Sequence, residues 1–359
     1  MSPQDRLARE LCAAVAHGAG PDELGEVISR AIRPHVGHDA LRLVGTSPAT
    51  GLGQGSFSFW HRYEPDLIGA LVLHRYRNGD PCSPEVLARL PVPVAVVGPV
   101  GDPVGGARGC VTGEGGAREL LAAHGVGCEL RLLLRDSHGV WGVLGLLRTE
   151  GGRPFDVDDT RRAMRLVPAL LMTLRTYVRA GPLAPSVPAM PAGTIVIGAD
   201  HTSRAITPQA HAWLEQMRTP GRSSMTDEVA DLFMIGLSID TRLHTRDPRA
   251  WRPLICAPAA GFGRWMAIEG QPLDADGTGD VAVVIQAATG ALLLPSFCDW
   301  YGITPRERRV VELLCAGAAP KQVARRLELS VHTVNDHLKA VFRKTGASGR
   351  DELTAALTG

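Results

Sequence analysis

The spacing of apolar positions changes several times along this chain, and each change predicts an element. Helical spacing over 4–17 and 22–33 predicts two helices, followed by a strand at 39–44. The stretch 45–125 is turn-rich. Within it the pattern predicts a helix at 65–76, a strand at 93–97 and a glycine-rich loop at 101–116. From Gly127 the alternation is regular: strands at 128–135 and 140–148 meet through Asp136-Ser137-His138-Gly139 as a hairpin. Phe155-Asp156-Val157-Asp158 then opens a long helix to about Arg179. Pro182, Pro185, Pro188 and Pro191 make 181–192 a linker of limited flexibility. A strand at 193–199, a turn at 200–203, a strand at 204–206 and a helix at 208–217 follow. Three more strands are predicted at 251–256, 263–268 and 281–286.

The stretch 300–359 is purely helical in pattern. Thr304 caps a helix, Pro305 fits its first position, and Glu307 reaches back to the cap amide. Val310, Val311, Leu313 and Leu314 form its apolar face, and Gly317 ends it. Pro320 opens a second helix with Val323, Ala324 and Leu327 inward, and Glu328-Leu329-Ser330 makes a turn. Ser330 caps a third helix. There Val331, Val334, Leu338, Val341 and Phe342 share one face, while His332, Asn335, Asp336, Lys339 and Arg343 form a polar face able to enter a major groove. Thr333, His337 and Lys344 lie toward one edge and suit phosphate contact. Asn335 can pair with an adenine edge, Lys339 with guanine, and Asp336 can accept from cytosine.

Charge sharpens this reading. The only three lysines, Lys321, Lys339 and Lys344, all lie here. Between Asp299 and Gly359 ten basic residues face seven acidic ones, a net of +3 in a chain of net +1. Positive charge therefore collects where phosphate would be met.

Residues 303–357 resemble the LuxR-type (GerE-type) DNA-binding domain of bacterial regulators. The resemblance rests on Thr304-Pro305-Arg306-Glu307, Gly317, Ala324, Leu327, Ser330, Thr333-Val334, His337-Leu338-Lys339, Phe342, Lys344, Gly346 and Arg350-Asp351-Glu352-Leu353. It implies a four-helix domain binding double-stranded DNA as a homodimer on two half-sites. It places phosphate contacts at Lys321, Thr333 and His337 and base contacts at Asn335, Asp336 and Lys339. Ser330, His332, Val334, Arg343 and Lys344 complete the expected DNA-binding set. Two departures stand out: Ala318-Ala319 replaces the usual Ser or Thr cap before Pro320, and Asp336 replaces a neutral residue common in the family.

Trp141-Gly142-Val143-Leu144-Gly145-Leu146, followed by the helix start at Phe155, is similar to the end of a GAF domain. The strand, tight turn, strand, helix and three strands over 193–290 resemble a PAS domain. The expected fold class is multidomain α+β: GAF-like and PAS-like antiparallel-sheet sensor units followed by an all-α four-helix LuxR-type helix-turn-helix domain. The expected division is 1–180, the linker 181–192, 193–290 and 291–359.

Both sensor families usually bind something, so aromatic-polar clusters are the candidates. Trp60, His61 and Tyr63, within 57–63, and Trp251 beside Arg252 are the residues expected at a ligand site. No cofactor is specified. His35-Val36-Gly37-His38 lacks a further ligand nearby, so no metal is expected. Seven scattered cysteines without a CxxC pair fit a reducing cytoplasm, and Cys12, Cys82 and Cys128 are redox candidates only with a lowered thiol pKa. No leader and no long apolar run predict a cytoplasmic chain without a membrane partner.

Enzyme readings lack their residues. No lysine precedes Lys321, which removes a P-loop and an upstream Schiff base. Gly51-Leu52-Gly53-Gln54-Gly55 lacks the strand-to-helix setting of a dinucleotide loop, and Asp136-Ser137-His138 is turn chemistry rather than a triad. The expectation is a regulator whose upstream units sense a small molecule or partner. The alternative is a regulator whose upstream units serve only dimerisation or protein docking.

Overall fold

The computed structural model describes residues 3–80, 82–98, 117–218 and 227–359. The loop predicted at 101–116, with Cys110, lies outside the described residues. Two antiparallel five-stranded sheets precede a cluster of four helices, giving a mixed α+β multidomain chain.

The first sheet follows α1 (Pro3–Ala16) and α2 (Pro21–Ile32). Its strands are β1 (Ala40–Gly45), β2 (Phe57–His61), β3 (Val94–Val97), β4 (Val126–Asp136) and β5 (Gly139–Thr149). Their spatial order is β2-β1-β5-β4-β3. The predicted hairpin is β4–β5, longer than expected and turning on Ser137 and His138. Helices α3 (Pro65–Asn78), α4 (Pro84–Arg89) and α5 (Ala117–Ala123) lie between β2 and β4 in sequence.

Alternation along the strands divides the two faces. Leu41, Leu43, Leu130, Leu132, Leu144 and Leu146 point into a core shared with α1, α2 and the long α6 (Val157–Ala180). Asp156 caps α6 through a full capping box with Asp159. The opposite face carries Ala40, Val44, Leu133 and Leu147 with Leu67, Ile68 and Leu87 from α3 and α4. That face also carries Arg42, Glu129 and Arg131, and these three charges in apolar strands build the cavity described below.

The second sheet holds β6 (Gly193–Ile197), β7 (Ser203–Ile206), β8 (Leu254–Ala257), β9 (Met266–Pro272) and β10 (Val281–Ala287). Its order is β7-β6-β10-β9-β8, the same arrangement as the first. Helix α7 (Pro208–Met217) matches its predicted bounds, while the strands at 251–256 and 263–268 begin three residues later than predicted. Helices α8 (Asp227–Arg246), α9 (Ala259–Phe262) and α10 (Gly290–Tyr301) complete this region. Trp213, Met217, Met234, Phe262 and Met266 fill one face of the sheet.

The last four helices are α11 (Pro305–Cys315), α12 (Pro320–Leu327), α13 (Val331–Thr345) and α14 (Arg350–Thr358). Their core is continuous with that of the first sheet through α10. Trp300, fully buried on α10, packs edge-on against Trp141 at 5.0 Å between ring centres and tilted against Phe57 at 5.7 Å. Arg179 Nε donates to the Trp300 carbonyl at 3.0 Å. Among the described residues no helix is long and apolar enough to cross a membrane.

Candidate DNA interface and sensor cavity

Local chemistry sets the geometry of the helical end. Thr304 Oγ1 accepts the Glu307 amide, and Glu307 Oε2 accepts the Thr304 amide at 2.7 Å, so both donors of the capping box are satisfied. At the cap lacking Ser or Thr, Gln322 Oε1 accepts the Ala319 amide at 2.9 Å. That recovers half of a capping box, since alanine offers no acceptor in return. Glu328 ends α12 with φ 56°, a left-handed conformation that turns the chain into α13. Ser330 Oγ accepts the Thr333 amide at 3.0 Å, as the cap pattern predicts.

Helix α13 divides largely as its spacing predicts, but Val331, expected on the apolar face, is 38% exposed because it opens the first turn, ahead of the packed seam. Leu338, Val341 and fully buried Val334 pack on the helices behind it. His332 and Lys339 project with 86% and 77% of their side-chain surface exposed, and Asp336 stands between them at 54%. Asp336 is 3.0 Å from His332 Nδ1 and 3.7 Å from Lys339 Nζ. Asn335 and Arg343 are exposed beside them, Thr333 and His337 are half-exposed at the edge, and Lys321 is exposed at the start of α12. Among the described residues His332, Asn335, Asp336, Lys339 and Arg343 of this face are exposed.

Two residues expected at the DNA surface are placed elsewhere. The Val334 side chain is in the core and cannot reach a base, because its position is one of the inward turns of the helix. Lys344 Nζ sits 2.6 Å from Glu307 Oε2 and ties α13 to the first turn of α11. Burial pushes the Glu307 carboxyl up. The Lys344 ammonium and the Thr304 amide outweigh this and hold it below the ordinary glutamate value.

The upstream cavity of about 90 Å³ lies against the Arg42 face of the first sheet. It is lined by Leu52, Gly53 and Gln54 from the β1–β2 connection and by Ile68, Leu71, Val72 and Arg75 from α3. Tyr63, Glu129, Arg131, Val143 and Gly145 line the sheet side. A Cβ on Gly145 would stand 3.2 Å from Glu129 Oε1, so glycine there keeps the floor open.

The charges around this cavity are paired in a chain. Tyr63 donates to Glu129 Oε1 at 3.1 Å, Arg131 Nε to Glu129 Oε2 at 2.8 Å, and Arg131 Nη1 to Asp80. Arg75 bridges Glu85 at 3.1 Å and Asp240 of α8 at 3.3 Å, and Gln54 donates to Asp240 at 3.0 Å. Burial raises the Asp240 carboxyl above its ordinary value even beside Arg75. Arg42 differs. Its Nε is buried without a hydrogen-bond partner, and among the described residues no carboxylate pairs with it. The Trp60 ring lies 6.0 Å from its guanidinium carbon, and the Glu129 carboxylate is the neighbouring negative charge that acts on it. Burial lowers its pKa.

Of the expected ligand residues only Tyr63 lines this cavity. Trp60 flanks Arg42, and His61 faces a separate basic depression with Arg30, Arg33 and Arg62. Trp251 seats against Gly51, whose hypothetical Cβ would lie 2.0 Å from the indole. Arg42, Arg131 and Glu129 were not singled out by sequence. Their signal was a charge at alternate positions of otherwise apolar strands. Among the described residues no cluster of three metal-ligating side chains occurs, and His38 is engaged by Ser29 Oγ at 2.9 Å and the Val36 carbonyl at 2.7 Å. Burial raises the Cys128 thiol, the opposite of a reactive thiolate.

A capped, exposed, mixed-charge helix on a three-helix support defines a helix-turn-helix DNA-binding module. Residues 302–357 match the family described as bacterial regulatory proteins of the luxR family, so the chain carries a LuxR-family DNA-binding domain. A monoamine regulon transcriptional regulator of Klebsiella aerogenes is 40% identical over 53 residues, 15% of this chain and 23% of that protein. A helix-turn-helix transcriptional regulator of Mycobacterium bovis is 43% identical over 54 residues, 15% of this chain but 6% of that protein. The chain thus spans less than a quarter of these relatives. Among solved structures, the phycoerythrobilin-bound GAF domain of a cyanobacterial phytochrome aligns with 49% of this chain and 95% of its own at 17% identity and TM-score 0.33. The phage VqmA–DPO complex aligns with 48% of this chain and 81% of its own at 15% identity and TM-score 0.18.

Proposed function

We propose that the chain is a cytoplasmic transcription regulator, not an enzyme, that binds double-stranded DNA as a homodimer. Its GAF-like unit at 1–180 and PAS-like unit at 193–290, joined by the linker 181–192, control the DNA-binding domain at 291–359. The single observation behind the DNA-binding reading is the exposed face of α13, with Asn335, Asp336 and Lys339 over a buried Val334-Leu338-Val341 seam. Asn335 and Lys339 read purine edges, Asp336 accepts from cytosine, and Lys321, Thr333 and His337 hold phosphates.

Control acts through geometry rather than masking, since α13 is open while its domain is docked. The β1–β2 connection supports the route. Its residues 52–54 line the cavity, and its other end holds α10: Ser47 Oγ donates to Ser296 Oγ at 2.9 Å, and the Ala49 amide to Asp299 at 2.8 Å. Helix α10 leads directly into Thr304. A ligand that shifts this connection biases α10 and so the spacing of two recognition helices.

The docking-only alternative has less support. Among the described residues the large exposed apolar side chains, Val92, Met172, Leu273, Leu329 and Val331, are scattered apart from the neighbouring Leu329 and Val331.

Selection of duplexes from a randomised pool by the full chain tests the DNA reading. The expected product is a pair of half-sites about one helical turn apart, ~10 base pairs between centres. Recovery of unrelated sequences only would refute it.

A further inference from the structure

We propose that Val331 reads a thymine in each half-site by closing on its C5-methyl group in the major groove. This rests on the DNA-binding reading and gives α13 one apolar base contact beside its polar ones. By spacing Val331 belongs to the buried seam, three residues before Val334 and seven before Leu338. Val334 is fully buried and Leu338 is 7% exposed, whereas Val331 keeps 38% of its surface open. It opens α13 directly after the Ser330 cap, and Leu329, also 38% exposed, stands just before that cap. Among the described residues these two are the neighbouring pair of large exposed apolar side chains. Singly exposed valines are ordinary; the position of this one is what gives it a task. Val331, Asn335, Lys339 and Arg343 follow one another at intervals of four, the spacing of neighbours along one side of a helix, and all four are exposed. Val331 is thus the leading member of the row that carries the base-reading side chains.

The leading turn of a recognition helix enters the major groove, where its side chains meet base edges. The valine side chain has no donor or acceptor for those edges or for a phosphate. The apolar group that base edges offer there is the C5-methyl of thymine. The branched end of Val331 lies against that methyl, and water leaves both surfaces. The bond from the Thr333 amide to Ser330 Oγ at 3.0 Å holds the turn that carries Val331. Four residues of helix advance about 6 Å, close to two base steps of about 3.4 Å, so the thymine lies within about two base pairs of the adenine that Asn335 contacts.

The test uses the full chain and the duplex it selects from an unmodified randomised pool. Each thymine of a half-site is replaced in turn by deoxyuridine, which removes the methyl group and keeps every hydrogen-bonding edge. The adenine of Asn335 is located by the relaxed base choice of Asn335→Ala. Within about two base pairs of it, one thymine is expected whose replacement weakens wild-type binding about four-fold, the value of one buried methyl-sized group. Val331→Ala should bind the thymine and deoxyuridine duplexes alike, with a melting temperature within about 2 °C of wild type. Val331→Thr keeps a methyl at the branch and should retain the preference for thymine. Should Val331→Ala fold poorly, Val331→Ser replaces it, with the same equal binding expected. Wild-type affinity unchanged by every replacement would overturn the assignment. So would a thymine preference that survives in Val331→Ala, since another residue would then hold the methyl group. A lower melting temperature of Val331→Ala with equal weakening on all duplexes would make Val331 a packing residue and overturn it too. In each of these cases a common selected site leaves the DNA-binding reading standing. Recovery of unrelated sequences only would remove that reading and this assignment together.

Discussion

The two sheets share one strand order and each encloses an arginine, yet the two arginines live differently. Arg242, 1% exposed on α8, donates to the carbonyls of Ile197, Gly198 and Gly279 and to Ser238 Oγ. It closes the end of the second sheet and leaves no nitrogen idle. Arg42 sits on β1 of the first sheet, over a cavity, with its Nε unbonded and the Glu129 carboxylate as its neighbouring charge. The second sheet is packed with Trp213, Met234 and Met266, whereas the first leaves space beside its charges. A buried charge with all its bonds made serves the fold. One with a buried nitrogen left unbonded beside a cavity contributes less to the fold.

Substitution should separate the two most clearly. Arg242→Met strands three carbonyls and a hydroxyl, and a loss of ~2–4 kcal/mol is expected in chemical denaturation. Arg42→Met is expected to leave the free protein as stable as before or more so. Equal losses at both positions would erase the distinction.

At the DNA end, Lys339→Ala should relax base choice at one position by ~1–3 kcal/mol, read as relative affinity for single-base variants of the selected site. Lys321→Ala should instead weaken all sequences alike and lower the salt slope by about one. Unchanged affinity of Lys339→Ala for its selected site would move the groove contact elsewhere.

A pairwise test follows for the connection between cavity and α10. Ser47→Ala and Ser296→Ala should each cost ~1 kcal/mol or less of stability, and the double substitution little more than either. Both should reduce the effect of ligand on DNA affinity. Full additivity in the cycle would show that this hydrogen bond transmits nothing.

The acid response of the helical end carries a definite sign. Glu307 is held below its ordinary value in the folded chain, so it releases its proton more readily folded than unfolded. Its contribution is therefore complete above the unfolded glutamate pKa of ~4.3 and is lost as pH falls through the lower folded value. Glu307→Gln should narrow the stability difference between pH 7 and pH 3, as measured by thermal melts at the two pH values. The smallest effect is expected at Glu328, whose left-handed φ should make Glu328→Gly neutral or stabilising by up to ~1 kcal/mol.

The difference between regions also explains what was legible in sequence. The helical end announces itself because caps and helix faces are local: Thr304 with Glu307, Ser330 with Thr333, and Val334 with Leu338 all lie within one turn. The hairpin and long α6 were legible for the same reason. Helix α8 was not, since it is pressed from two sides. Met234 and Leu237 face the second sheet while Asp240 faces Arg75 and Gln54, which leaves no single apolar stripe. Strand β2 was hidden in an aromatic cluster, and α10 in a run apolar nearly all round, because both are buried between layers. The cavity joins Arg42, Glu129 and Arg131 from strands far apart in sequence, and only pairing registers of β1, β4 and β5 bring them together.

The most direct test of the account is the affinity of the full chain for its selected duplex with both half-sites and with one half-site replaced. The account predicts that losing one half-site weakens binding at least about ten-fold, because two recognition helices engage together. Equal affinity for the two duplexes would contradict it.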